Sequence, residues 1–374
     1  MKIRLVTSLL LTFAAFSAQA ELIFQDDFES HPDWVAGITN PDNPTARPHS
    51  NTPPNGWYAL RTDPARAPSM GDLDRHESIE IKAAPEKARS GVKSAQFYRD
   101  ALSTPDWKWW SDGILAKKFD QDYDQLYASF YIKWQPDSPH PHSLSKLFRI
   151  THTEGVGSQV FRNFHDGFNG PTAGWMYVHN DYGLRNTIMM RGYPPMTNYY
   201  FEEGGAKDLP RNIYNGDMSL NWNSNLTDLN RDGIDDNPNT SLRSWLNDEL
   251  IPGSYHEGII SPQDLFGDSN KTGWRRIQFF VKMNSAPGVT DGVMEQWIDG
   301  QLVFANYQIP WVGASATKMV GWNLIKVGGN DYINKKLDDS LRFEDWYAID
   351  DIEIHTAHPH TPAAPANVKV EKLI

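Results

Sequence analysis

The chain contains no cysteine. Disulfide scaffolds and thiolate metal sites are therefore excluded. It has no G-x-S-x-G elbow and no phosphate-cradling glycine loop, which removes two large enzyme classes. Past the N-terminus, no apolar run is long enough to span a bilayer. Basic residues are in the minority, 35 against 47 acidic ones, for a net charge of −12. That balance argues against nucleic acid and anionic membranes as partners. It does not forbid an acidic polysaccharide, since a local basic groove can sit in an acidic protein.

What is present begins with an export signal. Met1 to Ala20 has a short basic start, an apolar run from Leu5 to Phe16, and a small-x-small close at Ala18-Gln19-Ala20. This predicts a signal peptide, with a mature chain starting at Glu21 that is secreted or periplasmic. Losing Lys2 and Arg4 takes the formal charge to −14. Aromatic content is high, with 14 Trp and 15 Tyr. Core packing explains part of it, and stacking platforms for sugar rings explain such an excess as well.

Period-two alternation runs through most of the chain and predicts an all-β fold. In Trp274–Asn284, Ile277, Phe279, Val281 and Met283 share one face. In Gln125–Gln135, Leu126, Ala128, Phe130, Ile132 and Trp134 share one face, and Tyr127, Ser129, Tyr131 and Lys133 the other. Asp299-Gly300 between two such runs reads as a hairpin turn. Further strands are expected at 21–29, 78–82, 92–98, 114–119, 142–152, 159–165, 174–180, 186–191, 292–309, 322–330 and 346–354. Residues 192–271 lose the periodicity and read as a long insertion, with one helix within 242–250. Residues 357–374 read as a Pro/Ala-rich tail.

The ordered pieces Asp291–Gly300 (DGVMEQWIDG), Trp322–Asn330 (WNLIKVGGN) and Trp346–Ile354 (WYAIDDIEI) resemble the jelly-roll polysaccharide lyases. The relatives meant are heparin lyase I, glucuronan lyase and the algal-virus alginate lyase. The resemblance implies a concanavalin A-like jelly-roll β-sandwich of two antiparallel sheets over residues 21–356, carrying the insertion. It further implies cleavage of a uronate-containing polysaccharide by β-elimination, and a monomer is expected. Lys146, in SKLFRITH (Ser145 to His152), matches a lysine of the relatives, although their preceding Gly-Gly is Leu144-Ser145 here.

Such a lyase needs a group to neutralise the carboxylate, a base for the C5 proton, and an acid for the leaving oxygen. The stretch from Lys146 to Tyr193 offers all three types. Lys146 and Arg149 suit the carboxylate. His152, His165 or His179 suits the base, and Tyr177 the acid. Trp107, Trp109, Trp110, Tyr127, Tyr131, Lys133, Arg191 and Tyr193 are candidate substrate contacts. Asp228, Asn230, Asp232, Ile234 and Asp236 follow the spacing of a calcium loop, with Asn239 where a bidentate acid is usual. Calcium is thus the expected cofactor. A second cation is conceivable where Asp26, Asp27 and Glu29 of the first strand meet Asp350 and Asp351 of the last. Two rival readings stand. One is a glycosidase using Glu295 and Asp299; the other is a non-catalytic carbohydrate-binding sandwich.

Overall fold

A computed structural model of the chain describes residues 20–36, 52–62, 66–69, 75–100, 109–136, 143–162, 168–180, 183–194, 220–224, 254–255, 273–333 and 344–359. The expected helix within 242–250, the calcium loop, most of the insertion and the tail lie outside the described residues.

Strands dominate. They are β1 (Leu22–Asp26), β2 (Trp34–Val35), β3 (Ala59–Thr62), β4 (Ile79–Ala83), β5 (Lys93–Asp100) and β6 (Trp109–Tyr123). Next come β7 (Gln125–Trp134), β8 (Ser143–Thr153), β9 (Asn169–Asn180), β10 (Gly183–Arg191), β11 (Leu220–Ser224) and β12 (Ser254–Tyr255). The last are β13 (Arg275–Lys282), β14 (Gly292–Ile298), β15 (Gln301–Ile309), β16 (Trp322–Ile333) and β17 (Glu344–His355).

They form two antiparallel sheets, as the jelly-roll reading requires. One has ten strands in the order β12-β15-β14-β13-β7-β17-β5-β4-β2, with β1 paired to β17. The other has seven, in the order β11-β10-β9-β8-β16-β6-β3. First and last strands are thus neighbours. The insertion gives each sheet an edge strand, β11 beside β10 and β12 beside β15.

The core lies between the sheets, where the alternation sends it. Phe130, Ile132, Trp134, Ile277, Phe279 and Val281 come from the larger sheet, and Leu115, Phe148, Ile150, Trp175, Ile325 and Val327 from the smaller. Phe148 meets Phe130 at 4.8 Å and Phe279 at 5.6 Å between ring centroids. Each such pair contributes about 0.5–1.5 kcal/mol beyond its buried area.

Two expectations need correction. The described part of the expected strand 159–165 is not a strand: Gly157–Phe161 is a single 3-10 turn. Its Val160 and Phe161 bury against Ile114, Ala116 and Leu324 on the outer face of the smaller sheet. Residues 101–112 read in the sequence as a loop, yet Trp109 and Trp110 belong to β6. Where β1 meets β17, protein donors reach two of the acidic side chains. Asp26 takes hydrogen bonds from His31 Nε2 and Trp57 Nε1, and Asp350 from the Arg89 and Ser90 amides. Among the described residues no cluster of three acidic or imidazole groups could hold a metal.

Two glycines matter. The hairpin turn holds positive φ at Asp299 (52°) and Gly300 (81°), as a type I′ turn demands. Gly328 sits in β16 at φ 80°, and a Cβ there would lie 2.3 Å from the Gly113 carbonyl oxygen and 2.5 Å from the Phe97 ring. Gly328→Ala is expected to cost at least about 1–3 kcal/mol, from strain before any clash. A urea melt of the variant checks this.

Candidate active site

Strict alternation along β8 would put Lys146 and Arg149 on opposite faces, driving one charge into the core. The register with β9 removes the conflict. Lys146 lies opposite Met176, yet Phe148 lies opposite Trp175, so one extra residue is taken up between them. Leu147 and Phe148 both enter the core, and Lys146 and Arg149 both emerge on the outer face of the smaller sheet.

Neighbouring strands add to that face. Lys326 of β16 is the register partner of Arg149, and it sits between core residues Ile325 and Val327, so it points outward. Asn330 of β16 lies opposite Asp112 of β6. Arg61 of β3 lies opposite Ile114, and its Nε and Nη2 donate to Asp112 Oδ2 at 3.0 and 2.7 Å. Arg191 closes β10 opposite Thr172 of β9.

Two polar contacts hold the cations. Lys146 Nζ donates to Asn330 Oδ1 at 2.5 Å. Arg149 Nη1 donates to the Gly328 carbonyl at 3.3 Å. Burial pushes the Lys146 ammonium down to about 7, and the positive Arg149 and Arg191 push the same way, against Asp331. Arg149, almost fully buried, is lowered to about 10 by burial and then by Arg191 and Arg61. Lys326 is lowered well below its usual value by burial and the same three arginines. A cluster of like charges held this close makes a patch that an anion stabilises.

Not every expected residue joins them. His152 turns to the other side of β8, with Ile150. Its Nδ1 donates to the Gly321 carbonyl at 2.9 Å, and its ring meets Tyr193, a member of the core, edge-on at 5.9 Å. Tyr193 donates its hydroxyl to Glu154. Tyr127, Tyr131 and Lys133 face outward on the ten-stranded sheet, the far side of the sandwich, so they share no groove with Lys146. Each has a partner there: Gln278 donates to the Tyr127 hydroxyl, Arg89 stacks 3.6 Å over Tyr131, and Lys133 donates to the Glu86 carbonyl. Tyr177 and His179 occupy β9 opposite Ser145 and Ser143. Their side chains, like those of Trp109 and Trp110, lie outside the described residues, as do Trp107, His165 and Asp228, Asn230, Asp232, Ile234 and Asp236.

Of the glycosidase pair, Asp299 is committed to the hairpin. It accepts from the Arg276 amide and from Arg275 Nη1, both at 2.8 Å. Arg61, Lys326, Asn330 and Asp112 were the residues that sequence reasoning passed over. Lys326 had a usable signal, since a lysine flanked by Ile325 and Val327 in a strand must face away from the core.

No family model matches the chain, and no curated protein sequence does. Solved structures similar to it include an endo-β-1,4-glucuronan lyase from the fungus Trichoderma reesei, at 11% identity and a TM-score of 0.43, over 80% of this chain and 91% of that one. The marine alginate lyase from Aplysia kurodai aligns at 10% identity and a TM-score of 0.40, over 74% and 86%. LamAcat from Zobellia galactanivorans aligns at 12% and 0.38, over 89% and 97%.

Proposed function

We propose that this chain is an exported polysaccharide lyase that cleaves a uronate-containing polymer by β-elimination. One observation carries the reading: Arg61, Lys146, Arg149, Arg191 and Lys326 converge on one sheet face, where burial and then the neighbouring arginines lower the proton affinity of both lysines. A dense cationic floor suits a polymer that bears a carboxylate on each ring.

The chemistry follows from the groups. Arg149 and Arg191 neutralise the uronate carboxylate, which makes the C5 proton acidic. Lys146, neutral above about pH 7, takes that proton on Nζ, with Asn330 holding it in place. The C5–H electrons form the C4–C5 double bond as the C4–O bond breaks. The leaving oxygen takes a proton from water, since Tyr177, the acid of the sequence reading, pairs in register with the inward-facing Ser145 and not with Lys146. Lys146 thereby moves from the carboxylate, its role in the sequence reading, to the proton. The calcium loop at Asp228–Asp236 belongs to the same reading as a structural cation and enters no step.

The test is to incubate the mature protein with a panel of uronate polymers and follow the ultraviolet band of an unsaturated uronate. Its appearance is the expected result. New reducing ends without the band would mean hydrolysis, and retention on immobilised polymer with neither would mean a binding module. The pH profile adds a sign. Protonated Lys146 cannot accept a proton, so kcat/KM is expected to fall about tenfold per unit as pH drops below about 7.

A further inference from the structure

We propose that Asp331 is a positioning residue for Lys146, acting from behind the sheet; this rests on the lyase reading above. The β8–β16 ladder is interrupted where Lys146 sits. Val327 pairs with Phe148 and Tyr332 with Leu144, and the register shifts between them. Backbone hydrogen bonds therefore do not fix Lys146 against Asn330, and side chains take over that task.

They do so on both faces. Outside, Lys146 bonds Asn330. Inside, the next residue of each strand enters one buried network. Asp331 is fully buried, with Arg99 Nη1 at 3.8 Å and the Ser111 and Ser145 hydroxyls beside it. Arg99 Nη1 also donates to Ser145 Oγ at 2.7 Å, and its other nitrogens clamp Asp345. The same two dipeptides, Ser145-Lys146 and Asn330-Asp331, are thus tied above and below the sheet.

The charges facing Asp331 come from every strand around it. They are Arg99 of β5, Asp345 of β17 and the serines of β6 and β8, with Lys146 and Arg149 felt through the sheet. An ionised Asp331 favours protonated Lys146, and a neutral one favours the free amine. Burial holds the Asp331 carboxyl up at about 7, and its ionised form raises the Lys146 affinity against the pull of burial and the arginines.

The experiment reads Lys146 directly in the full chain. Trace acetylation with acetic anhydride, followed across neutral pH by peptide mass spectrometry, gives the midpoint of Lys146. Asp331→Asn is expected to lower it by about one pH unit, as loss of a nearby opposite charge does. Asp345→Asn, which removes a like charge from beside Asp331, is expected to leave it no lower than in wild type. Ser145→Ala, which takes a hydroxyl from the Asp331 carboxylate, is expected to lower it by less, and serves if Asp331→Asn does not fold. The acid limb of kcat/KM should follow the midpoint. An unmoved midpoint in Asp331→Asn, or an equal shift in Asp345→Asn, overturns the proposal. If no polymer is cleaved, the lyase reading fails while the acetylation result still decides this one.

Discussion

Replacing Lys146 with alanine is expected to lower kcat/KM on the cleaved polymer by about 10³-fold, the middle of the range for a lost general base. The informative partner is Lys146→Arg. Arginine keeps a positive charge at every accessible pH and cannot release its proton. If Lys146 served only to neutralise a carboxylate, Lys146→Arg would retain most of the rate. As a base it should be as inactive as the alanine variant. Stability gives a second readout of the same group. The folded state holds the Lys146 affinity near 7, well below its ordinary range, so the charged form destabilises the fold. That cost is fully present below about pH 7 and fades as pH rises toward the unfolded value near 10.5. Wild type should therefore gain stability over that window, with Lys326 contributing in the same sense. Lys146→Met should melt no lower than wild type at pH 7 and show a shallower rise. Denaturant melts at several pH values check this.

The sandwich was legible because burial writes a period of two. In β7 and β13 the predicted inward residues are the observed core. The Asp299-Gly300 turn was equally plain, since both positions need positive φ. What alternation cannot report is its own interruption. The extra residue between Lys146 and Phe148 has no glycine or proline to mark it, yet it decides which face two charges share. Nor can alternation say which outward face belongs to which layer. Tyr127, Tyr131 and Lys133 form a convincing polar and aromatic row, and they line the wrong sheet for Lys146. Short elements escaped as well. β3 has only four residues and follows a Pro- and Asn-rich stretch of sequence, and with it Arg61 went unnoticed. Val160-Phe161 looked like strand because a short apolar run suits either state.

Arg99→Met is expected to cost about 3–5 kcal/mol of folding stability, the range for stranding a buried charge. Arg99 and Asp345 are both fully buried, and the bidentate pair at 2.7 and 2.9 Å joins β5 to β17. The pair itself is not the source of the loss, since two desolvated charges nearly cancel what they gain. The loss comes from leaving Asp345 and Asp331 in the core without a cation. Two consequences separate this account from simple loss of packing. First, Arg99→Met/Asp345→Asn should recover a large part of the deficit, although it removes more polar contacts than the single change. Second, the deficit should depend on pH with a definite sign. Without Arg99 the two carboxylates are expected to hold folded-state affinities above their unfolded ones, so the penalty grows as pH rises past about 4 and shrinks in acid. Urea midpoints at pH 5 and 8, compared with wild type, should therefore differ more at the higher pH. A packing defect would cost the same at both, because removing methylene contacts involves no proton.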